Sequence, residues 1–316
     1  MNRKTQFLLA TKLVLSAGLL ALVLTKVDLP SILQALVKAD VWLVVTWYLL
    51  VPVVVWLSAW RWEVLAPGLS FSTAFKYTWI GVFFSHVLPG AISGDIAKGV
   101  SLAFKDTAAR AGLAASIVAD KIIGLTALLL FFDLACAVVY FMYGDAFGEL
   151  RRLAVIALVL SLIGILATLG VVRVAGRFRS NAAGNPRSVA RLALYKTVAA
   201  VSLYRDKPII LLKAFGISVA IHIVNIFALY VSLRALHVDA GVSFATVVYP
   251  VVSIMLLIPI SISGIGVRDA TLAVLFSLFG LPPASGVAIS WLALFATVPN
   301  IIIGGTIQLF EMYRKR

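Results

Sequence analysis

Leu88-Pro-Gly-Ala-Ile-Ser-Gly-Asp-Ile-Ala-Lys-Gly-Val-Ser-Leu102 and Ile258-Pro-Ile-Ser-Ile-Ser-Gly-Ile-Gly-Val-Arg-Asp-Ala-Thr-Leu272 align without gaps, 170 positions apart, and each interrupts a hydrophobic run. The shared pattern is Pro-x-x-Ile-Ser-Gly-x-x-x-(Lys/Arg)-x-x-x-Leu, which sets Pro89 on Pro259, Gly94 on Gly264 and Lys98 on Arg268. In a membrane protein, hydrophobic segments broken at corresponding positions of two halves point to a substrate site.

The surrounding composition fixes the class. Of 316 residues, 62% are apolar and 13% charged, with a mean hydropathy of +1.06. Soluble domains run near 45–50% apolar and about 25% charged. Backbone in lipid must satisfy its own hydrogen bonds, so these runs read as helices of an all-α polytopic membrane protein. Phe7 to Leu24 is too long for a signal-peptide core, and no small-x-small site follows before Lys26 and Asp28. Cys136, the single cysteine, sits in an apolar run and reads as packing.

Charge sets the orientation. The net +14 comes from 27 Lys and Arg against 13 Asp and Glu. Arg173, Arg177, Arg179, Arg187, Arg191, Lys196, Arg205, Lys207 and Lys213 cluster with Asp206 as their one acid. No aromatic interleaving or binding motif accompanies them, so nucleic acid is not an expected partner. Basic short loops stay cytoplasmic, where this one would also meet anionic lipid headgroups. The termini, with Arg3-Lys4 and Arg314-Lys315-Arg316, belong on the same side.

Six full spans are predicted at 7–25, 41–60, 112–143, 153–173, 211–235 and 284–309. Counting from the cytoplasmic markers leaves segments 73–111 and 245–280 each beginning and ending on one face. Both are too short for two spans of about 20 residues. They read as re-entrant hairpins entering from opposite faces, with the matched motifs at their tips. Each half is then span, hairpin, span in opposite orientation, 41–143 and 211–309, joined by the basic loop 174–210. The other topology counts the hairpin arms as full spans. Trp42 and Trp47 fall near the outer boundary, and Trp56, Trp60 and Trp62 near the inner one.

At each tip a helix arm stops near proline, and Gly94, Gly264 and Gly266 allow an irregular turn. A half-helix then starts at Ser93 or Ser263, both expected N-caps. Its positive dipole end and free N–H groups suit an anion. Lys98 and Arg268, five residues on, complete a basic pocket for a phosphate group. The alternative reading pairs them with Asp95 and Asp269 as hairpin clasps. Asp120 and Lys121 point about 100° apart on one helix, so each needs its own partner, for gating or for a salt bridge to a hairpin arm. Asp133 lies within an apolar stretch, where a buried partner on another helix or a protonatable coupling role is expected. His86 is expected near the first tip, either lining a cavity or bonding the broken backbone. His222 and Asn225 share a helix face and read as interhelical contacts. No spacing suits a metal or cofactor.

The quoted tips, with Asp120-Lys121 and Gly124-Leu125, also resemble the transmembrane, flippase-like domain of lysylphosphatidylglycerol synthase and its stand-alone relatives. The family more often has Arg at position 98, Glu at 269 and a Gly pair at 263–264. The resemblance implies movement of a phospholipid or lipid-linked group between leaflets, and the charge bias with the unbroken helical pattern suits a bacterial inner membrane. In fused members a soluble domain makes the aminoacylated lipid. Seven residues follow Leu309 here, so a translocase without enzyme activity is expected. The other expectations are a membrane scaffold for a lipid-modifying or glycosyl-transferring enzyme, and a soluble-anion transporter.

Overall fold

The computed structural model describes residues 3–66, 68–87, 93–103, 110–142, 152, 155–156, 158–159, 161–163, 204, 207–258, 261 and 263–313. Among them there are helices and no strand. In chain order they are α1 Arg3–Lys26, α2 Leu29–Val37, α3 Val41–Leu65, α4 Phe71–Val87, α5 Ser93–Ala103 and α6 Arg110–Met142. After these come α7 Pro208–Ala235, α8 Val242–Leu257, α9 Val267–Leu278, α10 Pro283–Phe295 and α11 Thr297–Tyr313. The expected span 153–173 and the loop 174–210 lie largely outside the described residues.

Four stretches are long and apolar enough to cross a bilayer: Val41–Leu65, Gly112–Met142, Pro208–Ala235 and Pro283–Tyr313. They coincide with four of the predicted spans. The chain is therefore an all-α, multi-pass membrane protein. At 1.5 Å per residue α6 is about 50 Å long, so it must tilt or protrude from a hydrocarbon core of about 30 Å. The arms flanking the two breaks are shorter: 17 residues in α4, 11 in α5, 16 in α8 and 12 in α9. None reaches the length of about 20 residues a span requires. The sequence reading did not separate α2. Asp28 caps it by accepting the Ser31 N–H (3.0 Å) and hydroxyl (2.7 Å), and Pro30 fits its first turn.

The chain divides into two compact units. The first comprises Met1–Val53, Thr78–Lys98 and Val224–Arg316. In it α9 packs against α1, α8 and α10, while α10 also contacts α2 and α11. Phe276, fully buried on α9, meets the Phe244 ring edge-on at 5.2 Å. Small residues set the closest crossings: Gly94 lies against the Gly81 carbonyl, Gly304 against the Trp79 carbonyl, and Gly286 against Leu272 and Phe276. Close backbone approach of this kind replaces the hydrophobic drive that lipid removes.

Gly266 adds a second constraint. Its φ is +81°, and a methyl there would stand 2.7 Å from the Ser16 carbonyl and 2.8 Å from Leu19 Cβ, both on α1. Gly280 has a similar φ of +70° but open space around it. Gly280→Ala should therefore cost only the left-handed backbone penalty of about 1–2 kcal/mol. Gly266→Ala should lower the thermal midpoint in detergent clearly further, because α1 must also move. Equal midpoints for the two variants would refute the tight α1–α9 contact.

The second unit comprises Val54–Tyr77 and Gly99–Ile223. Its core gathers Leu65, Ala119, Ile123, Tyr204 and Ala214. The Tyr204 hydroxyl donates to the Leu65 carbonyl at 2.5 Å, tying the segment before α7 to the end of α3. Burial pushes this phenol up from 10.0 to about 12. Because the folded value is raised, Tyr204's contribution is complete below pH 10 and should fade as pH climbs from about 10 to about 12. Tyr204→Phe should cost about 1–3 kcal/mol by leaving a buried carbonyl unpaired, and should flatten that alkaline loss in a pH series of melts.

Candidate functional site

Residues beside the two breaks meet within the first unit. Ser263 Oγ donates to the backbone carbonyl of His86, at the end of α4, across 3.3 Å. The tips are nevertheless built differently. α5 starts at Ser93, so Lys98 lies five residues in, as expected. The Ser93 side chain, Pro89 and Pro259 lie outside the described residues. In the second tip, Ser263 (φ 52°), Gly264 (78°) and Gly266 (81°) adopt left-handed backbone. That conformation cannot start an α-helix, so α9 begins only at Val267, with Gly266 as its N-cap. Ser263 is therefore not the cap, and Arg268 sits in the first turn rather than one and a half turns in. The sequence difference behind this is Gly266, which aligns with Ile96.

The two basic residues also differ in their partners. Lys98 Nζ pairs with Asp95 Oδ1 at 3.1 Å, and the pair is largely buried. Asp95 stands three residues before Lys98, a spacing that brings side chains together on a helix. The residue aligned with Asp95 is Ile265. Asp269 follows Arg268 directly, about 100° round the helix. Its Oδ2 instead accepts the Gly266 N–H at 2.7 Å and closes the helix start. Lys98 thus has an acidic neighbour on its own helix, whereas the Asp269 carboxylate is turned to the start of its helix.

Arg268 donates from Nε to Ser290 Oγ (2.9 Å) and from Nη2 to the Ser290 carbonyl (3.0 Å), both on α10. Among the described residues it forms no ion pair. A guanidinium carries five N–H donors, and three of them find no acceptor among the described residues. A methyl on Gly264 would stand 2.8 Å from Leu256 Cδ2 on α8, so the tight approach at this glycine is to α8 rather than to the guanidinium. The guanidinium faces a cleft of about 220 Å³ whose walls are Leu20 of α1, Ile265, and Trp291, Leu294 and Phe295 of α10. Phe295 is exposed at the rim, on a stretch apolar enough to cross the bilayer. Asp269 and Ser290 complete the lining. The His86 Nδ1 has no hydrogen-bond partner among the described residues. Ser290 and the α10 wall were missed in the sequence because nothing local ties position 290 to 268.

Asp120 and Lys121 belong to the second unit. Asp120 is buried and accepts from Arg61 Nε at 2.6 Å, while Lys121 is exposed. This partner of Asp120 is on α3. Arg61 Nη1 also donates to Ser218 Oγ (2.9 Å) on α7, and Trp62 Nε1 donates to Ser116 Oγ (3.0 Å) on α6. His222 Nε2 meets the Gly124 carbonyl at 3.3 Å and its ring lies 5.4 Å from Phe131, an interhelical contact as expected. Asp133 is buried, and among the described residues neither carboxylate oxygen has a hydrogen-bond partner. The nearby Ser161 hydroxyl donates to the Leu129 carbonyl (3.5 Å). Among the described residues no three His, Cys, Asp or Glu side chains group as metal ligands.

A multi-pass helical membrane protein whose Arg268 faces a largely apolar cleft with no ion pair among the described residues is the class these observations define. The chain belongs to the lysylphosphatidylglycerol synthase TM region family, whose pattern matches residues 9–304. No curated protein and no solved structure matches it.

Proposed function

We propose that this protein moves an amphiphile with an anionic headgroup, a phospholipid or lipid-linked group, between leaflets without itself catalysing a covalent step. The observation that carries this reading is Arg268: a cation with no ion pair among the described residues, set in an apolar cleft. The three N–H donors left without an acceptor among the described residues suit a phosphate, and Arg presents them in a planar fork that matches two phosphate oxygens. Leu20, Trp291, Leu294 and Phe295 offer acyl chains an apolar wall beside the charge. A purely soluble anion would gain nothing from that wall.

In this reading the segments flanking the breaks are re-entrant hairpins of an inverted repeat, 41–143 and 211–309. The short arms and the Ser263–His86 contact support it. Lys98, held by Asp95, shapes the first tip. The headgroup passes Arg268 while the tails stay in the bilayer, so the desolvation of its charge is offset inside the membrane. The termini and basic loop face the cytoplasm of a bacterial inner membrane, where the loop rests on anionic headgroups.

The test is reconstitution in liposomes carrying fluorescent phosphatidylglycerol, read as inner-leaflet label exposed to an impermeant quencher. Protein-dependent exposure is expected. Absence of exposure across several anionic lipids would refute translocation and favour a scaffold. Release of trapped phosphate without lipid exposure would make the protein a soluble-anion transporter.

A further inference from the structure

α2 carries three chemically different faces. With 3.6 residues per turn, Ile32 points into the protein, where it is fully buried, and the helix rests on α10. Leu29, Leu33 and Val37 recur every fourth residue on a flank roughly 100° round from Ile32. Leu33 is 48% and Val37 85% exposed. Ser31, Gln34 and Lys38, all exposed, occupy a third flank roughly 130° further on.

The helix is pinned at both ends. Asp28 caps its start, and the Lys38 carbonyl meets His237 Nε2 at 3.1 Å. Just beyond, the Asp40 N–H donates to the Ala235 carbonyl at 2.8 Å. The exposed apolar flank therefore belongs to a fixed helix. α2 turns 90° from α1, the apolar helix before it. Trp42, in the first turn of α3, is 81% exposed. Exposed tryptophans mark the membrane–water boundary.

We propose that α2 is an interfacial helix lying in the bilayer plane. Leu29, Leu33 and Val37 enter the boundary between headgroups and acyl chains, Ser31, Gln34 and Lys38 face water, and Ile32 faces protein. A helix buried in water would have no reason to separate its two exposed flanks into apolar and polar ones. Lys26 and Lys38 are balanced by Asp28 and Asp40, so apolar contact rather than anionic-lipid charge holds the helix down. α2 follows directly from α1 and packs on α10, the two helices that supply walls of the Arg268 cleft. The proposal is independent of the translocase reading.

The experiment places a nitroxide at 33, 34, 37 or 38 by single cysteine substitution in a Cys136→Ala background, reconstituted in vesicles with and without phosphatidylglycerol. All four positions are exposed, so labelling leaves the packing intact. Collision with dissolved oxygen should exceed collision with a water-soluble nickel chelate severalfold at 33 and 37, at shallow depth. The order should invert at 34 and 38, with the same pattern in both vesicle types. Nickel access at all four positions would overturn the proposal by placing the stripe in water. Depth near the bilayer centre at 33 and 37 would make α2 part of a broken span. Exclusion of both reagents there would mean that a second copy covers the flank.

Discussion

Asp120→Asn is expected to destabilise the protein by about 3–5 kcal/mol, the range for breaking a buried ion pair from one side. The Arg61–Asp120 contact is short, at 2.6 Å, with side-chain exposures of 12% and 5%. Asn keeps an acceptor oxygen but removes the charge, so the Arg61 guanidinium, which also donates to the Ser218 hydroxyl, is left buried without its counter-charge where α3, α6 and α7 converge. Gly124 allows that convergence, since a methyl there would sit 3.1 Å from Arg61 Nη1. The double replacement Arg61→Met/Asp120→Leu should recover most of the loss, because an apolar pair of similar volume leaves no charge uncompensated. Thermal unfolding in detergent reads both. A single-variant loss below about 1 kcal/mol, the range of exposed pairs, would contradict the buried bridge.

Arg268→Ala is expected to slow anionic-lipid exchange more than tenfold. Hydrogen bonds to a charged group contribute about 1.5–3 kcal/mol, and each 1.4 kcal/mol is a factor of ten. Arg268→Lys should fall between the two, since it keeps the charge but loses the fork. Lys98→Ala should slow exchange less, because Asp95 already balances that charge at 3.1 Å. Initial rates of label exposure, normalised to reconstituted protein, supply the comparison. An unchanged rate in Arg268→Ala would remove the site, and a larger effect at Lys98 would reverse the assignment.

The span pattern was readable because lipid leaves the chain few options: Val41–Leu65, Gly112–Met142, Pro208–Ala235 and Pro283–Tyr313 follow from apolar length alone. α2 carried local signals in Asp28, Pro30 and Ser31, but nine residues between two hydrophobic runs passed as a connection. Lys98 and Arg268 were found from the repeat, yet their inequality was also written there. Asp95 lies three residues before Lys98, whereas Asp269 adjoins Arg268 and cannot fold back on it. The late start of α9 was legible in Gly266, opposite Ile96. What no local signal offered was the long-range partner: Arg61 for Asp120, and Ser290 for Arg268. Each depends on how helices pack rather than on spacing within one.

The central claim is that Arg268 holds an anionic headgroup while its tails lie against α1 and α10. Photo-crosslinking with phosphatidylglycerol carrying a diazirine in its acyl chain, followed by mass-spectrometric mapping, tests it in the reconstituted protein. The account predicts adducts enriched at Leu20, Trp291, Leu294 and Phe295 in the native chain and depleted there in a folded Arg268→Gln variant, with adducts on the outer face of α3 unchanged. Adducts spread evenly over lipid-facing helices, and unaffected by Arg268→Gln, would contradict it.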